Sequence, residues 1–241
     1  MILLPERLDH LLSRLGYCSR SEVRHWIREG RVTAEEGPVR PATRVHPEGV
    51  RIDGQPLDHP GPIYLVYYKE AGTVCAQGDP RSIYHDFPPR WSCRRPALSS
   101  VGRLDRDTSG ILLLTDDGDW LHRWIHPRHQ TPRQYRVHLA EPLVENAGVV
   151  LSSGNLQLEG DSKPCRPAGF LRCSDTEILL TLQEGRYHEV RRMMAALGNH
   201  VVALHRERFG PYGLKGLMPG EWRLLSLEEA GKEQECSGLP M

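Results

Sequence analysis

Hydrophobic and polar positions follow two periodicities near the start of the chain, first that of helices and then that of strands. Leucines at helical spacing from Leu8 to Leu15 are followed by Gly16, which predicts a short helix that ends at this glycine. Ser19 and Glu22 have the spacing of a capping box, so a second helix is expected directly after them. Beyond that helix, apolar residues alternate with polar ones between turns, which predicts short strands.

The second part of the chain has longer apolar stretches. Ile63–Tyr68, Gln134–Leu139 and Glu177–Leu182 are predicted strands, and the apolar spacing over residues 190–197 predicts a helix. Another strand, rich in leucine, ends at Thr115–Gly118, where the Asp-Gly pair predicts a positive-φ turn.

A short segment rich in proline and glycine separates these two parts. His59–Pro62 disfavours both helix and sheet, so we expect a linker there. The predicted organisation is a small domain over residues 1–58, the linker over 59–62, a second domain over 63–228 and a flexible tail over 229–241.

Composition changes this picture little. The chain has 241 residues, of which 39% are hydrophobic and 26% charged, and its formal net charge is zero, which argues against coating nucleic acid through bulk charge. Only four of the 31 basic residues are lysines, and arginine suits bidentate phosphate contacts.

No apolar run reaches the length of a membrane span and Met1–Pro5 is too short for a signal-peptide core, so a cytoplasmic protein is expected. The six cysteines are scattered without C-x-x-C pairs, which predicts free thiols.

A polar loop leads directly into the most apolar strand of the chain. Asp105 and Asp107 alternate there with Arg103 and Arg106, just before Ile111–Leu114. A buried strand can hold a reactive group of such a loop rigidly at a surface. The residues alone leave open a second interpretation, in which Asp105 caps a backbone turn and the arginines are solvated.

Three motifs in the right order resemble those of a known enzyme family. GRLD-x-x-T-x-G with LLLT-x-DG, followed later by GRYHEVRRM, resembles the signature of pseudouridine synthases of the RsuA family. The segment from ERLDHLLSRLGYC to VRIDGQPL is similar to the S-four-type RNA-binding domain. The resemblance implies an α+β protein: a small N-terminal α+β RNA-binding domain joined to a catalytic domain with a mixed, largely antiparallel sheet flanked by helices.

The resemblance also implies an activity and three catalytic residues. The reaction is the isomerisation of a uridine to pseudouridine in ribosomal RNA, most closely 16S rRNA of the small subunit, without a cofactor or a metal. Asp105 is implied as the nucleophile candidate, and Tyr135 as the ring that packs on the target base. Arg191 is implied to form a salt bridge with Asp105 that keeps the carboxylate ionised.

The same family implies an RNA partner, either 16S rRNA or a small-subunit assembly intermediate, bound by a monomer without membrane contact. The expected RNA contacts are nine basic residues: Arg20, Arg24, Arg28, Arg31, Arg103, Arg106, Arg186, His188 and Arg192. The basic, proline-rich segment 79–97 is expected either to clamp RNA or to be free surface.

Three alternatives stay open at this point. The chain could act on 23S rRNA, or it could be an rRNA-binding assembly factor whose chemistry is incidental. A glycosidase would need Asp105 and Asp107 to face each other across a bond, which two neighbouring residues of one loop disfavour.

Overall fold

Two short helices and two small sheets, one of two strands and one of three, enclose the leucines at the start of the chain. The computed structural model describes residues 3–232, and Leu8, Leu11 and Leu12 are fully buried in it. Gly16 ends the first helix with a positive φ of 76°, which glycine adopts without strain. The elements of this unit are β1 (Glu6–Arg7), α1 (Leu8–Arg14), α2 (Val23–Arg28), β2 (Val32–Ala34), β3 (Arg44–Val45), β4 (Val50–Ile52) and β5 (Gln55–Pro56).

The remaining elements form a larger unit around one sheet. They are β6 (Tyr64–Lys69), β7 (Ser99–Ser100), β8 (Thr108–Thr115), α3 (Gly118–Ile125), β9 (Arg133–Leu139), α4 (Ala147–Ser152), β10 (Gly169–Arg172), β11 (Glu177–Leu182), α5 (Glu189–Ala196), β12 (Val201–Phe209), β13 (Tyr212–Gly213), β14 (Trp222–Leu224) and α6 (Leu227–Ala230). The main path of the sheet is β10-β11-β9-β12-β8-β6-β14, with β13 beside β12 and β7 beside β8.

One parallel strand pair lies in the middle of this otherwise antiparallel sheet. β12 runs parallel to β8, with Leu204 beside Thr108 and Arg206 beside Gly110, whereas the other paired strands are antiparallel. The expected α+β class with a mixed, largely antiparallel sheet is therefore confirmed. The parallel pair also brings the loop before β8 close to α5, the helix that precedes β12.

The proline-rich segment 79–97 lies between the two units. Arg94 is 2% exposed. It donates to Asp116 Oδ2 at 2.6 Å and to the carbonyl oxygens of His59 and Gly61 at 2.9 and 2.6 Å. Arg94 is neither an RNA clamp nor free surface. Its guanidinium donates within the protein and fixes residues 59–61 to the large sheet.

Two neighbours of Arg94 contact the small unit in the same way. The guanidinium of Arg90 lies 4.2 Å from the ring centre of Tyr17 and donates to its hydroxyl at 2.7 Å. The indole nitrogen of Trp91 donates to Asp58 at 3.2 Å. The two units are thus joined by hydrogen bonds as well as by the chain itself.

Two local predictions need correction. The strand that ends at Thr115 leads into α3, and Asp117 accepts from the amides of Asp119 and Trp120 as its N-cap, so Asp-Gly starts a helix and Gly118 has no positive φ. Helix α2 begins at Val23, directly after Glu22 as expected, but no side-chain hydrogen bond caps it. The predicted capping box is wrong because Glu22 accepts from the amide of Ser19 at 2.7 Å and so closes the turn in front of the helix.

The C-terminal end of the described chain is a short helix and not the start of a flexible tail. Ser226 and Glu229 form a capping box for α6, and Ala230 is buried and accepts a hydrogen bond from Trp120. The predicted boundary at residue 229 therefore lies inside a helix, and residues 233–241 of the predicted tail, with Cys236, lie outside the described residues. The five described cysteines are free thiols. Among residues 3–232, no helix is both long and apolar enough to cross a bilayer.

Candidate active site

The loop that carries Asp105 is fixed through its backbone carbonyl groups. Thr108 donates its amide to the Asp105 carbonyl at 3.1 Å, and Gly72 donates to that of Arg106 at 2.7 Å. Cys75 Sγ lies 3.7 Å from the carbonyl oxygen of Leu104. The side chain of Asp105 therefore projects from a backbone that is held on both sides.

Lys69, at the end of β6, is fully buried beneath this loop. Its Nζ donates to the carbonyl oxygens of Glu70, Arg106 and Thr108 at 2.9, 3.3 and 3.0 Å. Burial lowers the pKa of Lys69, and the negative charges of Asp105 and Asp107 oppose that shift. A lysine with its three donors occupied by carbonyl groups holds the loop and is not free to bind substrate.

Gly110 sets the spacing of the parallel strand pair. A Cβ atom at this position would lie 2.2 Å from the carbonyl oxygen of Arg206, and φ is +116°, where only glycine is unstrained. The glycine of the T-x-G motif is therefore required for β8 and β12 to lie side by side.

A cavity of about 150 Å³ opens beside Asp105. Its walls are the 102–105 loop, strands β9 and β12, and the turn that precedes α5. Tyr135 lines it and also packs against the main hydrophobic cluster of the sheet. The titratable and charged side chains on its walls are Arg103, Asp105, Arg133, Tyr135, Arg186, His188, Glu189, Arg191 and Arg206.

The partner of Asp105 is a histidine and not Arg191. His188 Nε2 lies 3.6 Å from Asp105 Oδ1, and no ion pair between Arg191 and Asp105 is formed within residues 3–232. Arg191 donates instead to the carbonyl oxygens of Val201 at 3.1 Å and Asp107 at 3.4 Å. The predicted salt bridge is wrong because two carbonyl groups satisfy this half-buried guanidinium, which removes its need for a carboxylate. Arg191 still contacts the loop of Asp105, through its backbone.

Two arginines that are not among the predicted site residues, Arg133 and Arg206, also line the cavity. Arg133 and Arg206 lie 5.2 and 5.0 Å from the ring centre of Phe209, and burial lowers the pKa of Arg133. Arg206 donates from Nε to Ile111, while its Nη2 is buried without a hydrogen-bond partner in the described chain. Strand alternation could have indicated Arg133, since it lies two residues before Tyr135 on the same face.

Comparison with known proteins agrees with this geometry. A family model described as RNA pseudouridylate synthase matches residues 63–196, and a model of the S4 domain matches residues 6–50. The chain belongs to the RNA pseudouridylate synthase family. It is therefore an enzyme that forms pseudouridine in RNA, as its motifs predict.

Individual relatives match the synthase over nearly its whole length. It is 40% identical over 231 residues to the ribosomal small subunit pseudouridine synthase A of Escherichia coli strain K12, covering 92% of this chain and 97% of that protein. It is 39% identical to the protein of the same name from Vibrio vulnificus, with the same two shares covered. A solved structure titled as a pseudouridylate synthase has a TM-score of 0.66 and 35% identity, covering 93% of this chain and 97% of that one.

Two of the predicted RNA contacts hold the synthase's own chain. Arg186 donates to Asp161, to Glu184 and to the carbonyl oxygens of residues 163 and 164. Arg192 donates to both oxygens of Asp161 and to the carbonyl oxygen of Glu159. These two arginines hold the 159–164 segment to the turn that carries His188. Their donors bond within the protein and are therefore not free for RNA.

The predicted contacts of the small domain divide into paired and unpaired arginines. Arg31 forms a bidentate ion pair with Asp53 over the face of Trp26, and Arg20 pairs with Asp9 at 3.2 Å. The other two, Arg24 and Arg28, are exposed and line a groove on α2, and their side chains have no hydrogen bond or ion pair within residues 3–232. Arg103 and Arg106 are likewise exposed, on the loop of Asp105.

One group of side chains in the described residues has the composition of a metal site. A sulfur of Cys165 and an oxygen each of Glu184 and Glu189 lie within 4.8 Å of one another. Arg186 Nε lies 3.1 Å from Glu184 Oε2 and 3.8 Å from Glu189 Oε1, so a cation is already in place. Burial raises the pKa of Cys165 to about 11, which keeps the thiol protonated. The group therefore does not fit a metal ion.

Proposed function

We propose that this synthase isomerises one uridine of 16S rRNA, as a monomer in the cytoplasm. The observation that carries the proposal is the fixed loop of Asp105 beside a cavity lined by Tyr135, together with relatives named for the small ribosomal subunit over 92% of the chain. The substrate is either 16S rRNA or a small-subunit assembly intermediate.

Asp105 is proposed as the carboxylate that acts on the ribose, by attacking carbon 1′ or by removing a ribose proton. The bond from carbon 1′ to base nitrogen 1 breaks, the base turns, and carbon 5 bonds to carbon 1′. Carbon 5 loses its proton and nitrogen 1 gains one, so no oxidant, reductant or water is consumed. The side chain of Asp105 is 37% exposed, which leaves it open to the ribose.

Tyr135 is proposed to receive the base outside the RNA stack. Extrusion of a base costs a few kcal/mol, and stacking on an aromatic ring returns about 1–3 kcal/mol per base. The charges of Arg133 and Arg206 favour a ligand with polarised carbonyl oxygens or phosphate. Arg191 is proposed to act by holding the Asp107 carbonyl, which fixes the loop of Asp105.

The RNA is proposed to run from this cavity towards the small domain. Arg103 and Arg106 would contact flanking phosphates, and Arg24 and Arg28 would contact structured RNA through its shape and phosphates. These four are the predicted contacts whose guanidinium groups are not engaged by carboxylates of the described chain.

The test is pseudouridine mapping of 16S and 23S rRNA, free and in assembly intermediates, after incubation with wild type, Asp105→Asn and Asp107→Asn. We expect one new pseudouridine in 16S rRNA, at least about a thousandfold slower with Asp105→Asn and within about threefold of wild type with Asp107→Asn. Asp107 is the matched control because its exposed side chain makes no hydrogen bond in residues 3–232.

Other outcomes would point elsewhere. Modification of 23S rRNA alone would replace the proposed target. Binding of 16S rRNA without modification of either RNA would favour the assembly-factor function instead.

A further inference from the structure

Glu189, the first residue of α5, is a buried acid with one oxygen that accepts no hydrogen bond from residues 3–232. It is 5% exposed, and its Oε2 accepts a hydrogen bond from the amide of Arg186 at 3.1 Å. Its Oε1 is buried and accepts no hydrogen bond within the described chain. A buried oxygen without a donor costs free energy, so an explanation for it is required.

The groups that face Glu189 come from three parts of the fold. Its own turn contributes the Glu184 carboxylate and the Arg186 guanidinium, β9 contributes the charge of Arg133, and the 153–168 segment contributes the Cys165 thiol. The Arg186 Nε bonds to Glu184 and stays 3.8 Å from Glu189. An oxygen of the Glu184 carboxylate thus lies within 4.8 Å of one of Glu189, and both can only accept hydrogen bonds when they are ionised.

A proton on Glu189 would remove the repulsion between the Glu189 and Glu184 carboxylates. The protonated oxygen could then donate a charge-assisted O–H···O⁻ hydrogen bond to Glu184. Burial, with the charge of Glu184 as a further cause, raises the pKa of Glu189 to about 7. A proton fits the space better than a metal ion does, because the Arg186 cation already lies against both carboxyl groups.

The turn that Glu189 closes also carries His188. His188 has a φ of +47°, which a non-glycine residue keeps only when its surroundings impose it. Its ring stacks on Tyr187, which is 73% exposed and so gives little support from the core. The bond from the Arg186 amide to Glu189 is thus a main constraint on the position of the ring beside Asp105.

We propose that Glu189 is a positioning residue that acts as a neutral carboxylic acid, sharing its proton with Glu184 and thereby holding His188 against Asp105. This inference rests on the proposed role of Asp105. When the proton is lost, two like charges face each other in a buried site and the turn loosens. Activity therefore falls as the pH rises through the neutral range.

The test compares wild type, Glu189→Gln and Glu159→Gln in single-turnover pseudouridine formation from pH 6 to pH 8.5. Glutamine keeps the donor towards Glu184 and cannot ionise. The rate of Glu189→Gln divided by that of wild type should be within about threefold of one at pH 6 and rise at least about fivefold by pH 8.5. The exposed Glu159 lies on the adjacent segment, and its variant should follow wild type at every pH.

Thermal unfolding gives a second readout that needs no activity. The pKa of Glu189 is raised above its ordinary 4.5 in the folded protein, so wild type loses stability as the pH rises from about 4.5 to about 7. The melting temperature of Glu189→Gln relative to wild type should therefore increase by at least about 3 °C between pH 5 and pH 8.

A rate ratio that does not change with pH would overturn the positioning role, and a constant melting difference would overturn the shared proton. If wild type modified no RNA at any pH, the proposed target and nucleophile would fail. The melting comparison would then still decide whether Glu189 carries the proton.

Discussion

At the scale of single residues, the loop of Asp105 depends on a buried ammonium group. Lys69 donates to carbonyl groups of residues 37 and 39 positions further along the chain. Charge-assisted bonds of this kind are stronger than bonds between neutral groups. The loop of Asp105 is therefore held from below by a side chain that never meets the substrate.

Replacing Lys69 by methionine should remove its hydrogen bonds to the loop of Asp105. The carbonyl groups of Arg106 and Thr108 would lose a buried donor, which costs about 1–3 kcal/mol in free energy of unfolding. The rate of pseudouridine formation should fall at least about tenfold, with less than about threefold change in RNA affinity. Single-turnover rates, filter binding and urea unfolding measure the three quantities.

The matched control is Lys215→Met. Lys215 is exposed and pairs with Glu229 of α6, so all three quantities should stay near those of wild type. An equal loss of rate in both variants would contradict the supporting role of Lys69.

The sequence predicted the residue types of this site better than their partners. The family resemblance indicates both Asp105 and Tyr135, and the structure brings both to one cavity. The pairing of Asp105 with His188 was not predicted, because it depends on the positive φ of His188, which no local pattern indicates. Arg186 and Arg192, predicted as RNA contacts, likewise donate to the 159–164 segment, a direction that no local pattern indicates.

At the scale of elements, the decisive contact is the parallel pair of β8 and β12. Strand periodicity predicts β11 at its observed bounds and β6 within one residue. It gives no information about which strands pair, so the close approach at Gly110 could not be derived from the pattern. Asp117 shows a related limit, since Asp-Gly is compatible with both a turn and a helix N-cap.

Gly110→Ala should therefore be strongly destabilising. The new methyl group would overlap the backbone of Arg206, and alanine is strained at a φ of +116°. We expect a loss of at least about 3 kcal/mol in the free energy of unfolding, measured with urea. Gly118→Ala is the control, because a Cβ there meets nothing within 4 Å, and it should change stability by less than about 1 kcal/mol. Similar losses in both variants would contradict a steric role specific to the strand pair.

At the scale of the whole molecule, the buried ion pair of Arg94 and Asp116 fixes the guanidinium that holds residues 59–61, between the two units, to the large sheet. The side chains are 1% and 7% exposed, and Asp116 also accepts from the amide of Ile63. Burial lowers the pKa of Arg94, and the carboxylate of Asp116 opposes that shift. Composition predicted segment 79–97 to be surface or an RNA clamp, because it reveals charge but not the direction of a side chain.

Arg94→Met should leave Asp116 as an unpaired buried charge. Removing one partner of such a pair costs about 3–5 kcal/mol. We expect the urea midpoint to fall and the melting temperature to drop by several degrees. Arg95→Met, at the adjacent exposed position, should remain within about 0.5 kcal/mol of wild type. A stable Arg94→Met protein would show that the ion pair is dispensable for joining the units.

The internal use of arginine has a consequence for the ionic-strength dependence of RNA binding. Arg20, Arg31, Arg186 and Arg192 are already neutralised by carboxylates. A phosphate that replaces such a carboxylate exchanges one ion pair for another and releases little counterion free energy. If RNA binds as proposed, we expect the salt sensitivity of the complex to follow the guanidinium groups of the α2 groove and the Asp105 loop that lack a carboxylate partner within residues 3–232, and not the 27 arginines of the chain.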